Sequence, residues 1–131
     1  MSQRVVVTGL GVISSLGFDI DSFWDSIKNG KNGIKTVERF DITEYPTKVA
    51  AEIVDFDPTN YIDKKEARRM DRFTHFALAA AKLAIEDSKL NFDSIDKERI
   101  GVMIGSGIGG IETLEEQANV LKEKGPGRVS P

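Results

Sequence analysis

Residues 100–110 read IGVMIGSGIGG. The β-branched and apolar run Ile100 to Ile104 empties into a glycine loop, and an amphipathic helical pattern opens at Ile111. Strand, glycine turn and helix in direct succession form the repeating unit of α/β proteins. The loop also satisfies G-x-G-x-x-G through Gly105, Gly107 and Gly110, in the strand-to-helix context that a dinucleotide site requires.

Three features oppose a phosphate there. Glu112, Glu115 and Glu116 occupy the first turns of the following helix, where a pyrophosphate needs unopposed backbone N–H groups. No second strand ending in a ribose-binding carboxylate follows before Pro131. The pattern also comes late in the chain, whereas a dinucleotide fingerprint normally opens its domain. The simpler reading is that the glycines turn the chain and let another backbone or a ligand approach closely. A nucleotide-binding α/β domain using Gly105–Gly110 stands as the alternative.

Outward from this loop, Ile111, Leu114, Ala118 and Leu121 recur at helical spacing until Gly125-Pro126 stops the helix. Upstream, one long helix is expected from about Lys64 to Ser88. Asp63 caps it, Glu66 completes a capping box, and Met70, Phe73, Ala77, Ala80 and Ala84 make its apolar stripe. Arg4 to Thr8, RVVVT, reads as a buried strand entering the turn at Gly9 and Gly11. Asp19 or Asp21 caps a short helix through Lys28 that sets Ile20, Phe23, Trp24 and Ile27 against the sheet. Between them lies an irregular excursion with one edge strand, Val49 to Val54. Strands alternating with helices predict an α/β layered fold with a largely parallel sheet. Two buried strands are few for such a sheet, so the chain ending in GPGRVSP reads as a piece of a larger fold.

The bulk properties exclude several chemistries. The 131 residues suit one domain, and 40% hydrophobic with 30% charged residues is ordinary for a globular chain. There is no cysteine, so disulfides, thiolate metal sites and cysteine nucleophiles are absent from these residues. A lone histidine, His75, rules out a histidine metal cluster or a two-histidine acid/base pair, and reads as a helix-surface or interface residue. No metal and no cofactor is expected. The net charge of -3 gives no general reason for nucleic-acid or membrane binding, and the start lacks the pattern of a secretory signal. The expectation is a soluble, cytoplasmic protein.

One local charge anomaly stands out. The run KKEARRMDR, residues 64–72, sets Lys64, Lys65, Arg68, Arg69 and Arg72 against two acids, Glu66 and Asp71. On a continuous helix the cations would oppose the macrodipole, and each like-charge i,i+4 pair would cost about 0.2–0.5 kcal/mol. Either this is a solvated face partly neutralised by nearby acids, or it is a docking site for an acidic partner.

RVVVTGLGVISSLG, KKEARRMDRF followed by an alanine-rich helix, and IGVMIGSGIGG, in this order and spacing, resemble the N-terminal part of the type II β-ketoacyl-acyl carrier protein synthases, condensing enzymes of the thiolase fold. The resemblance covers the whole chain but well under half of a family member. It implies part of the first half of a thiolase-like α/β/α/β/α layered sandwich, cut before the catalytic residues. It further implies an acyltransferase of fatty-acid biosynthesis: an acyl chain passes from acyl carrier protein to a cysteine, and decarboxylation of malonyl-acyl carrier protein gives the carbanion that attacks it. The family's cysteine and two histidines would lie beyond Pro131, leaving these residues inactive alone. By the same resemblance Lys65, Arg68 and Arg69 match a carrier-protein docking patch, Ile108 matches a position lining the acyl pocket, and the intact enzyme is a homodimer. A carrier-protein-binding module stands as a further alternative.

Overall fold

The computed structural model describes Arg4–Ser130. Its first helix, α1 (Ile20–Lys28), begins where expected: the Asp19 carboxylate accepts from Ser22 N at 2.8 Å and from Ser22 Oγ at 2.8 Å. It ends at Asn29, followed by Gly30 with φ +63. The face it buries differs from expectation. Ser26 is the buried residue, donating its Oγ to Leu16 O at 2.9 Å, while Trp24 and Ile27 lie exposed.

The excursion carries the only sheet among the described residues, antiparallel and two-stranded. Strand β1 (Lys35–Thr36) pairs with β2 (Val49–Ala50), Lys35 opposite Ala50 and Thr36 opposite Val49. The predicted strand Val49–Val54 is therefore real but short, and its partner lies inside the loop that joins them to α1.

The long helix predicted from Lys64 to Ser88 is two helices, α2 (Lys64–Ala67) and α3 (Arg72–Ser88). Asp63 caps α2 as expected, accepting from Lys65 N at 2.8 Å and Glu66 N at 3.3 Å. The break falls at Arg68–Asp71, where Asp71 turns extended (φ -70, ψ 157) to start α3. Helix α4 (Ile111–Lys124) follows the glycine loop and stops at Gly125, as expected.

The runs predicted as buried parallel strands, Arg4–Thr8 and Ile100–Ile104, form no ladder. Val5 is 94% exposed and Met103 99%. An extended run makes no internal hydrogen bonds, so a strand exists only where a neighbour pairs with it, and neither run meets one here. The first nevertheless leads onto α3, and Ile104 at the end of the second borders an apolar depression lined by Phe73, Phe76, Ala77 and Ala80 of that helix. A Cβ placed on Gly11 would sit 2.7 Å from Ala84 N, and one on Gly9 2.6 Å from Ser88 N. The glycine turn after the first run thus lies directly on the alanine-rich face of α3, and Leu10 N donates to the Asp87 carboxylate at 2.9 Å.

The core is small and centred on the excursion. Phe56 is buried, with Phe18 and Phe76 edge-on at 5.7 and 5.1 Å between centroids and Tyr61 stacked at 5.7 Å. Ile62, Ala67 and the fully buried Ala79 complete it. Aromatic rings in edge and offset contacts supply much apolar burial from few residues.

Candidate functional site

The α2–α3 break changes the geometry of the basic run. Helix α2 is a single turn, so Arg68 and Arg69 sit on the connection, and only Arg72 lies in the first turn of the long helix. The opposition between cations and helix dipole inferred for an unbroken helix largely disappears. The break instead splays the charges outward. Lys65, Arg68 and Arg69 are exposed, and among the described residues none of them pairs with a carboxylate.

Arg68, Arg69 and Arg72 line one side of a cleft of about 830 Å³, with Arg39 and His75 beside them and Glu112, Glu116 and Gln117 of α4 opposite. Lys65 stands outside this lining. Arg72 is committed to structure: it donates to Ile53 O and lies over the Phe76 ring at 5.0 Å. Burial holds its pKa below the ordinary arginine value, Arg39 acts in the same direction, and Glu112 opposes them. His75 Nε2 lies 2.8 Å from Ala67 O, joining α3 to α2, in keeping with a structural role. Arg39 is the cation that sequence reasoning missed. It sits in the irregular excursion, far from the run it joins, and no local pattern marks it.

The glycine loop is governed by its two ends. Nothing approaches within 4 Å of a Cβ on Gly105 or Gly107, so the close backbone approach expected of these two is absent here. Gly109 has φ +76, a left-handed conformation that favours glycine, and its N–H donates to Ser106 Oγ at 3.0 Å. Gly110 is crowded by Asp71, whose Cγ would be 3.2 Å from an added Cβ. The Asp71 carboxylate also accepts the Thr113 hydroxyl. A side-chain carboxylate thus already stands at the first turn of α4, where a bound pyrophosphate would have to lie, and the dinucleotide alternative loses its site.

Ile108 projects from this loop 75% exposed. An apolar depression of about 410 Å³ lies nearby, lined by Val12, Ile13, Phe73, Phe76 and Ile104 among others, with Ser106 at its rim and Ile108 outside the lining. The structure therefore sets Arg68 and Arg69 on one cleft, with Lys65 a turn earlier on α2 outside its lining, and places Ile108 on a different loop. The described residues hold no group of histidine and carboxylate side chains that could bind a metal, and no helix long and apolar enough to cross a membrane.

With this geometry in view, the comparisons with known proteins are decisive for the family. A family profile described as "Beta-ketoacyl synthase, N-terminal domain" matches residues 2–131. The chain belongs to the β-ketoacyl synthase family. The 3-oxoacyl-[acyl-carrier-protein] synthase 2 of Synechocystis sp. is 46% identical over 129 residues, 98% of this chain and 31% of that protein. The protein of the same name from Staphylococcus aureus strain COL is 47% identical over 130 residues, 99% of this chain and 31% of it. The chain thus spans about a third of the length of these synthases.

Solved synthase structures agree. The ishigamide ketosynthase/chain length factor superposes with a TM-score of 0.80 at 28% identity, covering 96% of this chain and 32% of that one. A type II PKS acyl-carrier protein in complex with its ketosynthase bound to the hexaketide gives 0.78 at 26%, covering 99% and 33%. A β-ketoacyl synthase from Burkholderia phymatum gives 0.77 at 28%, covering 99% and 32%. The chain accordingly folds as part of a thiolase-like layered sandwich.

Proposed function

We propose that residues 1–131 form the N-terminal portion of a type II ketosynthase that elongates fatty acids by decarboxylative condensation of an acyl-enzyme with malonyl-acyl carrier protein. The whole-chain match to the β-ketoacyl synthase family carries this reading. The chain holds no cysteine, so these residues cannot form the acyl-enzyme themselves and are inactive alone. Their contribution is recognition. Lys65, Arg68 and Arg69 receive the acidic carrier protein, and Ile108 limits the acyl chain. The intact enzyme works as a cytoplasmic homodimer.

The exposed, unpaired state of the three cations supports the docking role, as does the carrier-protein complex of the polyketide ketosynthase named above. Charges held at a solvated rim act through long-range attraction, which steers association and weakens with salt. In the intact synthase, Arg68→Glu with Arg69→Glu is expected to raise the Kd for carrier protein about tenfold or more and to flatten its salt dependence, with turnover at saturation little changed. Unchanged affinity and an unchanged salt slope would remove the docking role. Ile108→Phe is expected to shorten the acyl chains accepted, because volume added at a pocket wall excludes the longest substrates first.

A further inference from the structure

We infer that Asp71 is a positioning residue that latches the acyl-selecting glycine loop to the carrier-docking face. This inference rests on the reading of Ile108 and the basic run given above. An aspartate at a helix N-cap normally accepts from the N–H groups of its own first turn. Asp71 occupies the N-cap of α3 and makes no such hydrogen bond. Its carboxylate reaches instead across 42 residues of sequence to the hydroxyl of Thr113, in the first turn of α4. The other carboxylate oxygen abuts Gly110, so a side chain at that position would have to push the carboxylate aside. Phe73 closes the same corner, 3.9 Å from the place a Gly110 Cβ would take.

The placement gives the contact its consequence. Asp71 lies between Arg69 and Arg72, at the break that turns Arg68 and Arg69 outward. Gly110 is the N-cap of α4 and closes the loop that carries Ile108 two residues earlier. One carboxylate therefore ties the end of the basic connection to the downstream anchor of the acyl loop. Upstream of that anchor the loop has little else to hold it: Gly105 and Gly107 face open space, and the bond from Gly109 N to Ser106 Oγ is internal to the loop. The negative charge also favours the N-termini of α3 and α4 together, since it stands at the positive end of both dipoles.

The test uses the intact synthase carrying Thr113→Val, Thr113→Ser, Asp71→Asn and, as a control on the underlying reading, Ile108→Phe. Amide hydrogen exchange reports the latch directly. With Thr113→Val, exchange at Gly107–Gly110 is expected to rise about tenfold, with α3 unchanged beyond its first turn. Thr113→Ser, which keeps the hydroxyl, is expected to restore protection. The acyl-chain profile should change in Thr113→Val and recover in Thr113→Ser, with affinity for carrier protein close to that of the parent.

Equal exchange in Thr113→Val and the parent overturns the latch whatever the activity shows. Raised exchange with an unaltered chain profile, while Ile108→Phe does alter it, overturns the link to selectivity. An unaltered profile in Ile108→Phe overturns the reading of Ile108 itself, and the latch's functional role falls with it. Asp71→Asn covers the case of a poorly folded Thr113→Val. It weakens the same contact while keeping the side chain's shape, and is held to the same exchange criterion.

Discussion

At the scale of single residues, glycine stands in three different situations in this chain. Gly11 is demanded by packing: a Cβ there meets Ala84 N at 2.7 Å and the Ala80 carbonyl carbon at 3.0 Å, both backbone atoms of α3 that cannot step aside. Gly109 is demanded by its φ of +76, and Gly105 by neither space nor conformation. Gly11→Ala is therefore expected to destabilise the fold by about 1–3 kcal/mol, the usual cost of forcing volume into a packed contact. Gly105→Ala should change stability in this chain by no more than about 0.5 kcal/mol. Urea unfolding of the two variants side by side measures the difference, and equal midpoints would show that the first loop does not rest on α3.

At the scale of elements, helix ends obey local chemistry and strands do not. The Asp19 carboxyl is held below its ordinary pKa by the Ser22 backbone N–H first and the Ser22 hydroxyl second. A folded pKa below the unfolded one means that the carboxylate stabilises α1 at every pH above its ordinary value of 3.8, and that this contribution is lost as pH falls through the folded pKa. Asp19→Asn keeps a capping oxygen without a titrating charge. It should leave α1 nearly as stable at neutral pH while reducing the acid-induced loss of helicity, seen by circular dichroism below pH 4; an unaltered acid limb would contradict the cap. The caps at Asp19 and Asp63 and the stop at Gly125 were legible in the sequence because each is decided within a few residues. The break at Arg68–Asp71 was not. KEARRMD has no residue that breaks a helix, and the contact that Asp71 makes at the break, with Thr113, is remote in sequence. Phe56 was missed for a related reason: it sits in a stretch with no periodicity, and its burial comes from Tyr61 nearby and from rings brought in by two other segments. Of the candidate site, the cations were legible as a charge run, whereas Arg39 reaches their cleft only through the fold.

At the scale of the whole molecule, the apolar surface is distributed as in a sheet waiting for neighbours. Val5, Val7, Val102 and Met103 are at least 79% exposed, in two runs that both end beside α3. Leu114 of α4 is 69% exposed as well. Extended apolar segments with unpaired N–H and C=O groups are templates for pairing with another chain. The 131-residue chain on its own is accordingly expected to self-associate at micromolar concentrations, and Val102→Lys to lower that tendency by setting a charge on one such run. In the intact synthase the same substitution should act in the opposite direction. A lysine at a strand position covered on both faces leaves a buried charge without a partner, so the expected result there is a lower melting temperature. Sedimentation velocity on the isolated chain and thermal unfolding of the intact enzyme give the two readings. The reversal of sign separates this account from a simple solubility effect, because an exposed Val102 in the intact protein would tolerate lysine without loss. A chain that stays monomeric up to about 1 mM, the top of the range in which open edges associate, would show that these runs are not pairing surfaces.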